Sequence, residues 1–171
     1  MTTEASLERI LSLRQEGSGE IVSVDEPAVK LVIVSLGDQW FAFHGERIRE
    51  VLAEAPVFFL PGCPPSLEGV VNVRGDIESV IRLRSILGLP AMADGISSRI
   101  LLGQASAMRS GVRVDRVEDV VDVLESAIQP LPPTTPDHLQ PIMLGVFTFG
   151  DHVVHLLDLE RIFEDYRAGL R

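Results

Sequence analysis

The stretch Gly69-Val70-Val71-Asn72-Val73-Arg74-Gly75-Asp76-Ile77-Glu78-Ser79-Val80-Ile81-Arg82-Leu83-Arg84-Ser85-Ile86-Leu87 decides the reading of this chain. It opens as a strand with alternating apolar residues (Val71, Val73), turns at Gly75-Asp76, and returns through Ile77 to Leu83 before a short charged helix. Glycine accepts positive φ and an Asp side chain can bond its own backbone, so Gly-Asp between two alternating runs predicts a hairpin turn. The segment from Gly145 to Phe163 follows the same plan: Gly-Val, alternating strand, Gly-Asp, strand, charged helix. Matching the two Gly-Asp pairs leaves Arg74 without a counterpart and the second return strand one residue longer. A strand–turn–strand–helix unit occurring twice predicts two related lobes, each built around such a hairpin.

Outward from this unit, Lys30 to Leu36 is a strand whose consecutive aliphatic residues suit burial on both faces. Gly37-Asp38 turns it, and Gln39 to Phe43 returns. Glu46 to Ala53 reads as a short helix with Ile48, Val51 and Leu52 on one face, and Val57 to Leu60 as a brief strand. Ser66 follows the Pro-rich loop 61–65 as a cap candidate. Residues 88–97, with Gly88, Pro90 and Gly95, form a connector. Strands follow at Arg99–Gln104 and Met108–Val114, then Asp115–Val121 matches the 46–52 segment in position and character, which supports the repeat independently of the hairpins. Pro130, Pro132, Pro133, Pro136 and Pro141 forbid regular structure over 126–141. An amphipathic helix over 159–167 closes the chain. The expected organisation is an extension over 1–28, then a single domain over 29–171 with lobes at 29–88 and 98–158. Short strands, repeated turn signals and helices used only as connectors predict an all-β fold of two small barrels. In the extension, Leu7, Ile10 and Leu11 fall at helical spacing, either as a frayed end or as a docking helix.

With 171 residues, 46% of them hydrophobic, the chain can bury a sizeable core. No apolar run approaches a membrane span and the N-terminus lacks a signal-peptide pattern, so a cytoplasmic protein without membrane insertion is expected. The single cysteine, Cys63, cannot form an internal disulfide. A net charge of −10 opposes binding to nucleic acid, whose phosphates need a positive field.

Catalytic chemistry finds little support. No Gly-rich phosphate loop precedes a helix, and no serine sits in a Gly-x-Ser-x-Gly elbow. Asp151, His152, His155 and Asp158 are the metal or ligand candidates, and a metal- or ligand-binding barrel is the alternative reading. On a strand, the odd spacing of His152 and His155 sends them to opposite faces. Glu50 and Arg74 stand out as a charged pair, either solvated separately or joined across the lobe. An exposed pair adds little stability, so its value lies in geometry or partner contact.

From Val29 to Tyr166 the chain resembles the CheW family, the adaptors of bacterial chemosensory arrays. The resemblance rests on Leu36 to Phe43, Ile48-Arg49-Glu50-Val51, Glu68 to Gly75, Gly111 to Val120 and Val154 to Glu160, in that order. It implies two SH3-like five-stranded barrels side by side, no catalytic activity and no cofactor. It also implies a bridge between the cytoplasmic tip of a chemoreceptor and the regulatory domain of a CheA-type histidine kinase, with other CheW-like proteins as further partners. Ile48, Glu50, Val51 and Arg74 fall at the family's partner-binding positions. Ser79 stands where the family usually has proline, Arg82 where it has aspartate, and Gly45 and Glu46 where aliphatic residues are common, while Arg84 keeps the family's arginine. These departures suggest altered specificity, as in a divergent member serving a pathway such as surface motility. A kinase fragment is disfavoured, because no phosphotransfer or ATP-binding segment accompanies the barrels.

Overall fold

The structure, a computed structural model, describes residues 26–53, 55–91, 97–105 and 107–169. The helix expected near Leu7 and most of the extension lie outside the described residues.

Among the described residues ten strands and two α-helices follow in order: β1 (Ala28–Leu36), β2 (Gln39–His44), β3 (Ile48–Leu52), β4 (Leu67–Val73), β5 (Asp76–Arg82), α1 (Leu83–Leu87), β6 (Arg99–Ala105), β7 (Met108–Val114), β8 (Arg116–Leu124), β9 (Met143–Phe149), β10 (His152–Leu157) and α2 (Leu159–Gly169). They form two five-stranded sheets, ordered β3-β6-β7-β5-β4 and β8-β1-β2-β10-β9. The first barrel below is β3 to β7; the second is β1, β2 and β8 to β10.

The barrels are not the two successive lobes expected at 29–88 and 98–158. Each half of the chain gives its leading hairpin to the other half's barrel: β1-β2 joins β8 to β10, and β6-β7 joins β3 to β5. The join is a parallel pairing in both cases, Val80 to Arg82 on β5 against Gly111 to Arg113 on β7, and Val154 to Leu156 on β10 against Trp40 to Ala42 on β2. Parallel neighbours require a crossover, and local hairpin signals do not say which sheet a hairpin enters.

Two expected helices are strands. After a 3-10 turn at Gly45–Arg47, residues 48–52 pair with β6; residues 116–124 pair with β1. The helix-like spacing of Ile48 and Val51 has another cause. Ile48 faces Gly103 and Glu50 faces Leu102, leaving Arg49 as a bulge that returns Ile48 and Val51 to one face of the sheet. β8 carries the same bulge at Glu118, between Val117 and Asp119. The segment match was therefore sound and its helical assignment was not. The strand expected at Val57–Leu60 reduces to one bridge, Phe58 to Val70.

The hairpin repeat is closer than its Gly-Asp pairs imply. The first turn is Arg74-Gly75, with Val73 paired to Asp76; the second is Gly150-Asp151, with Phe149 paired to His152. Gly150 thus occupies the place of Arg74, and the two units superimpose in register without a gap. Gly69 pairs with Val80 after a bulge at Glu68, as Gly145 pairs with Leu156 after a bulge at Leu144.

One seam device serves both barrels. Phe58 exchanges backbone hydrogen bonds with Val70 at 2.8 and 2.9 Å, and Gln129 does the same with Val146 at 2.7 and 2.9 Å. The residue before each valine is glycine because the chain crosses directly above it. A Cβ at Gly69 would lie 2.2 Å from the Phe58 carbonyl oxygen, and one at Gly145 would lie 2.6 Å from that of Gln129.

Strand alternation sorts the apolar residues into three cores. Leu31, Ile33, Ala42, Phe147, Val154 and Leu156 fill the second barrel, and Val71, Val73, Val80 and Ile100 fill the first. The largest core lies between the barrels: Val32, Val34, Phe41 and Phe43 from one meet Ile81, Leu101, Val112 and Val114 from the other, with Leu83 of α1 and Leu159, Ile162 and Phe163 of α2. Residues 31–36 are all buried, as a strand covered on both faces requires.

Candidate functional site

The rim of the first barrel brings Glu50 and Arg74 together. Glu50 projects from β3, and Arg74 occupies the first position of the β4–β5 turn with φ of 52°, the only non-glycine residue with positive φ among those described. Gly75 follows at 94°, the pair forming a tight hairpin turn that Asn72 closes by accepting the Gly75 N–H at 2.8 Å. A left-handed arginine is a costly choice for a position that glycine fills in the second barrel, and such choices point toward function.

The guanidinium grips Glu50 with both terminal nitrogens, at 3.0 and 2.6 Å. Its hydrogen bond holds the Glu50 carboxyl below the usual carboxylate range, and the carboxylate in turn raises Arg74. The Arg74 side chain stays 72% exposed while that of Glu50 is 31% exposed, so the cation is displayed and its partner is the anchor. Behind them Arg109 pairs with Glu78 at 2.6 Å and Arg49 donates to Gln104 at 2.6 Å, so the rim is a ring of matched polar groups. On the opposite face of β3, Ile48 packs on the inter-barrel core and Val51 is 42% exposed. The structure thus joins Glu50 to Arg74 at the rim, while Ile48 and Val51 share the other face of the strand.

The four departures from the family pattern lie apart from one another. Ser79, within β5, exchanges a hydroxyl hydrogen bond with Ser110 of β7 at 2.7 Å, which accounts for it locally. A side chain at Gly45 would meet the Lys30 side chain and carbonyl oxygen at 3.2 Å, so close packing also favours glycine there. Glu46 is exposed. Arg82 caps α1 without any side-chain cap bond and donates to the Pro65 carbonyl at 3.0 Å. Its counterpart in the second unit, Asp158, does cap its helix, accepting the Arg161 N–H at 3.2 Å.

One ion pair escaped sequence reasoning although Asp115 lies in a family-like stretch and Arg84 keeps the family's arginine. Arg84 of α1 pairs at 2.7 Å with Asp115, the link between β7 and β8, and Asp115 also accepts the Gly37 N–H of the second barrel at 2.7 Å. With side chains only 18% and 12% exposed, the pair clasps the barrels at their crossing point. Arg84 Nε and Asp115 Oδ1 are left buried without partners among the described residues. The repeat holds the signal in mirrored form: Glu160, two residues into α2's unit as Arg84 is into α1's, pairs with Arg47 at 3.0 Å.

The metal candidates do not converge. His152 stacks on Trp40 with ring centroids 3.6 Å apart, whereas His155 lies against Phe41, whose side chain enters the inter-barrel core. Burial pushes the His155 imidazole below its ordinary pKa, and Asp158 is engaged as a helix cap. Among the described residues no group of three or more His, Cys, Asp or Glu is placed to hold a metal ion.

Comparison with known proteins agrees with this architecture. The family described as the CheW-like domain matches residues 30–167. The probable chemotaxis protein CheW of Rhizobium etli is 26% identical over 145 residues, which cover 85% of this chain and 94% of that protein. The chemotaxis protein CheW of Rhizobium meliloti is 27% identical over 134 residues, covering 78% and 86% respectively. The crystal structure of the scaffolding protein TtCheW from Thermoanaerobacter tengcongensis superimposes with a TM-score of 0.72 at 28% identity, covering 81% of this chain and 94% of that one. Paired SH3-like barrels with exchanged hairpins and a match spanning nearly all the described residues lead to one conclusion: the chain belongs to the CheW-like domain family.

Proposed function

We propose that the protein is a non-enzymatic adaptor that couples the cytoplasmic tip of chemoreceptors to the regulatory domain of a CheA-type histidine kinase. It works in the cytoplasm at membrane-associated receptor arrays, with other CheW-like proteins as further partners. Arg74 carries this reading: a left-handed, exposed arginine held bidentately by Glu50 at a barrel rim is preorganised for a partner and does little for the fold. Ile48 and Val51, on the other face of the same strand, supply the apolar contact. No helix among the described residues is long and apolar enough to cross a membrane, which fits an adaptor brought to the membrane by its receptor.

Arg74→Glu places two carboxylates face to face. It should abolish co-sedimentation with receptor-bearing membranes and kinase while leaving the melting temperature close to that of the parent. Unchanged co-sedimentation would show the Arg74–Glu50 pair to be merely structural. Of the four unusual positions, Arg82 and the exposed Glu46 remain without a local explanation, and they support service in a pathway other than flagellar chemotaxis, such as surface motility. Assembly with a standard receptor–kinase pair at full strength would remove that reading.

A further inference from the structure

An open cleft of about 620 Å³ lies beside α1, away from the rim, and Glu68, Arg82, Arg84, Leu89, Ser98 and Arg113 line it. Its charges do not balance. Arg113 grips Glu68 at 3.0 and 2.6 Å and also donates to the Ser98 hydroxyl at 2.8 Å. Arg84 is committed to Asp115 and to the Pro90 carbonyl, both at 2.7 Å. Arg82 has only the neutral Pro65 carbonyl, and no carboxylate partners it among the described residues. Three guanidiniums therefore meet two carboxylates, a local excess of positive charge in a chain of net charge −10.

The internal repeat sharpens the point. The equivalent position in the second unit is Asp158, which caps its helix. Arginine at the first position forgoes that cap and extends into the cleft, so it is not the residue that local stability favours.

We propose that this cleft docks an acidic segment of a partner protein, with a Glu or Asp carboxylate received by Arg82. The proposal rests on the adaptor reading only in taking the partner to be a protein. A planar guanidinium at the edge of a cleft suits a carboxylate, and Leu89 and Pro65 offer apolar surface for the stem of an acidic side chain. The chain's overall negative charge repels long polyanions, and Glu68 repels a multiply charged phosphate at close range, so a single carboxylate is the better fit.

Fluorescence anisotropy of a labelled peptide carrying a single glutamate among neutral residues, titrated with the full chain, tests this. Arg82→Gln should weaken binding about tenfold, the loss of one charge-assisted contact. Arg82→Asp, which stays folded because it restores a cap, should abolish it. Arg167→Gln, on exposed α2 surface, should leave it unchanged, and inorganic phosphate at the peptide's own concentration should not displace it. The proposal is overturned if the peptide does not bind, if Arg82→Gln binds as the parent does, if Arg167→Gln causes an equal loss, or if phosphate displaces the peptide. Failure here, with Arg74→Glu still abolishing kinase binding, would leave the adaptor reading intact; the converse pattern would do the reverse.

Discussion

The two barrels share a scaffold down to single residues and differ in what they display. Both are sealed by a glycine beneath a crossing carbonyl, both carry a bulge on the strand before the seam, and both receive a hairpin from the other half of the chain. At the hairpin tip they diverge. The first barrel has Arg74 clasped by Glu50, while the second has Gly150 at the same position. Asp119, the counterpart of Glu50, accepts the neighbouring Val120 N–H at 2.8 Å. Shared features thus belong to the fold, and the displayed Arg74 is the difference on which the proposed partner surface rests.

If the seam is a folding requirement, removing it should cost both barrels heavily. Gly69→Ala is expected to destabilise by about 3 kcal/mol or more and Gly145→Ala by somewhat less, in the order of their clash distances, because backbone blocks each new Cβ. Calorimetric unfolding of the two variants checks this, and equal tolerance at both positions would break the parallel.

The mirrored clasps should separate next. Arg84→Ala leaves Asp115 charged and buried, so a loss of about 3 kcal/mol is expected. Arg47→Ala, at a pair whose side chains are 37% and 39% exposed, should lose under about 1 kcal/mol. Urea denaturation of both reads the contrast directly.

A smaller effect has the opposite sign. Giving the first unit the second's cap, Arg82→Asp, should stabilise by about 0.5–1 kcal/mol, whereas Asp158→Ala should lose a similar amount. A drop in melting temperature for Arg82→Asp would show that the Pro65 contact outweighs the missing cap.

Much of this was legible in the sequence because its signals are local. The Gly69 and Gly145 hairpins, the match of 46–52 with 115–121, and the double burial of residues 31–36 all follow from spacing alone. The exchange of hairpins between barrels was not legible, since β1-β2 has the same pattern whichever sheet it enters. Ile48 and Val51 looked helical because a bulge at Arg49 lets a strand imitate helical spacing. At the rim, Glu50 and Arg74 stand out in the sequence as either solvated or joined, and a turn placed one residue late hides the left-handed backbone of Arg74. Arg84 and Asp115 went unpaired because their contact depends on the crossing of the two barrels, which no local pattern encodes.

In the proposed adaptor, the first barrel's rim, and Arg74 above all, would engage the kinase. Isothermal titration of the parent chain and Arg74→Glu against the isolated regulatory domain of the cognate CheA-type kinase tests it most directly. The account predicts at least about a hundredfold loss of affinity, the scale seen when a displayed interface charge is reversed, with the melting temperature unchanged. Equal affinity for the two proteins would contradict it.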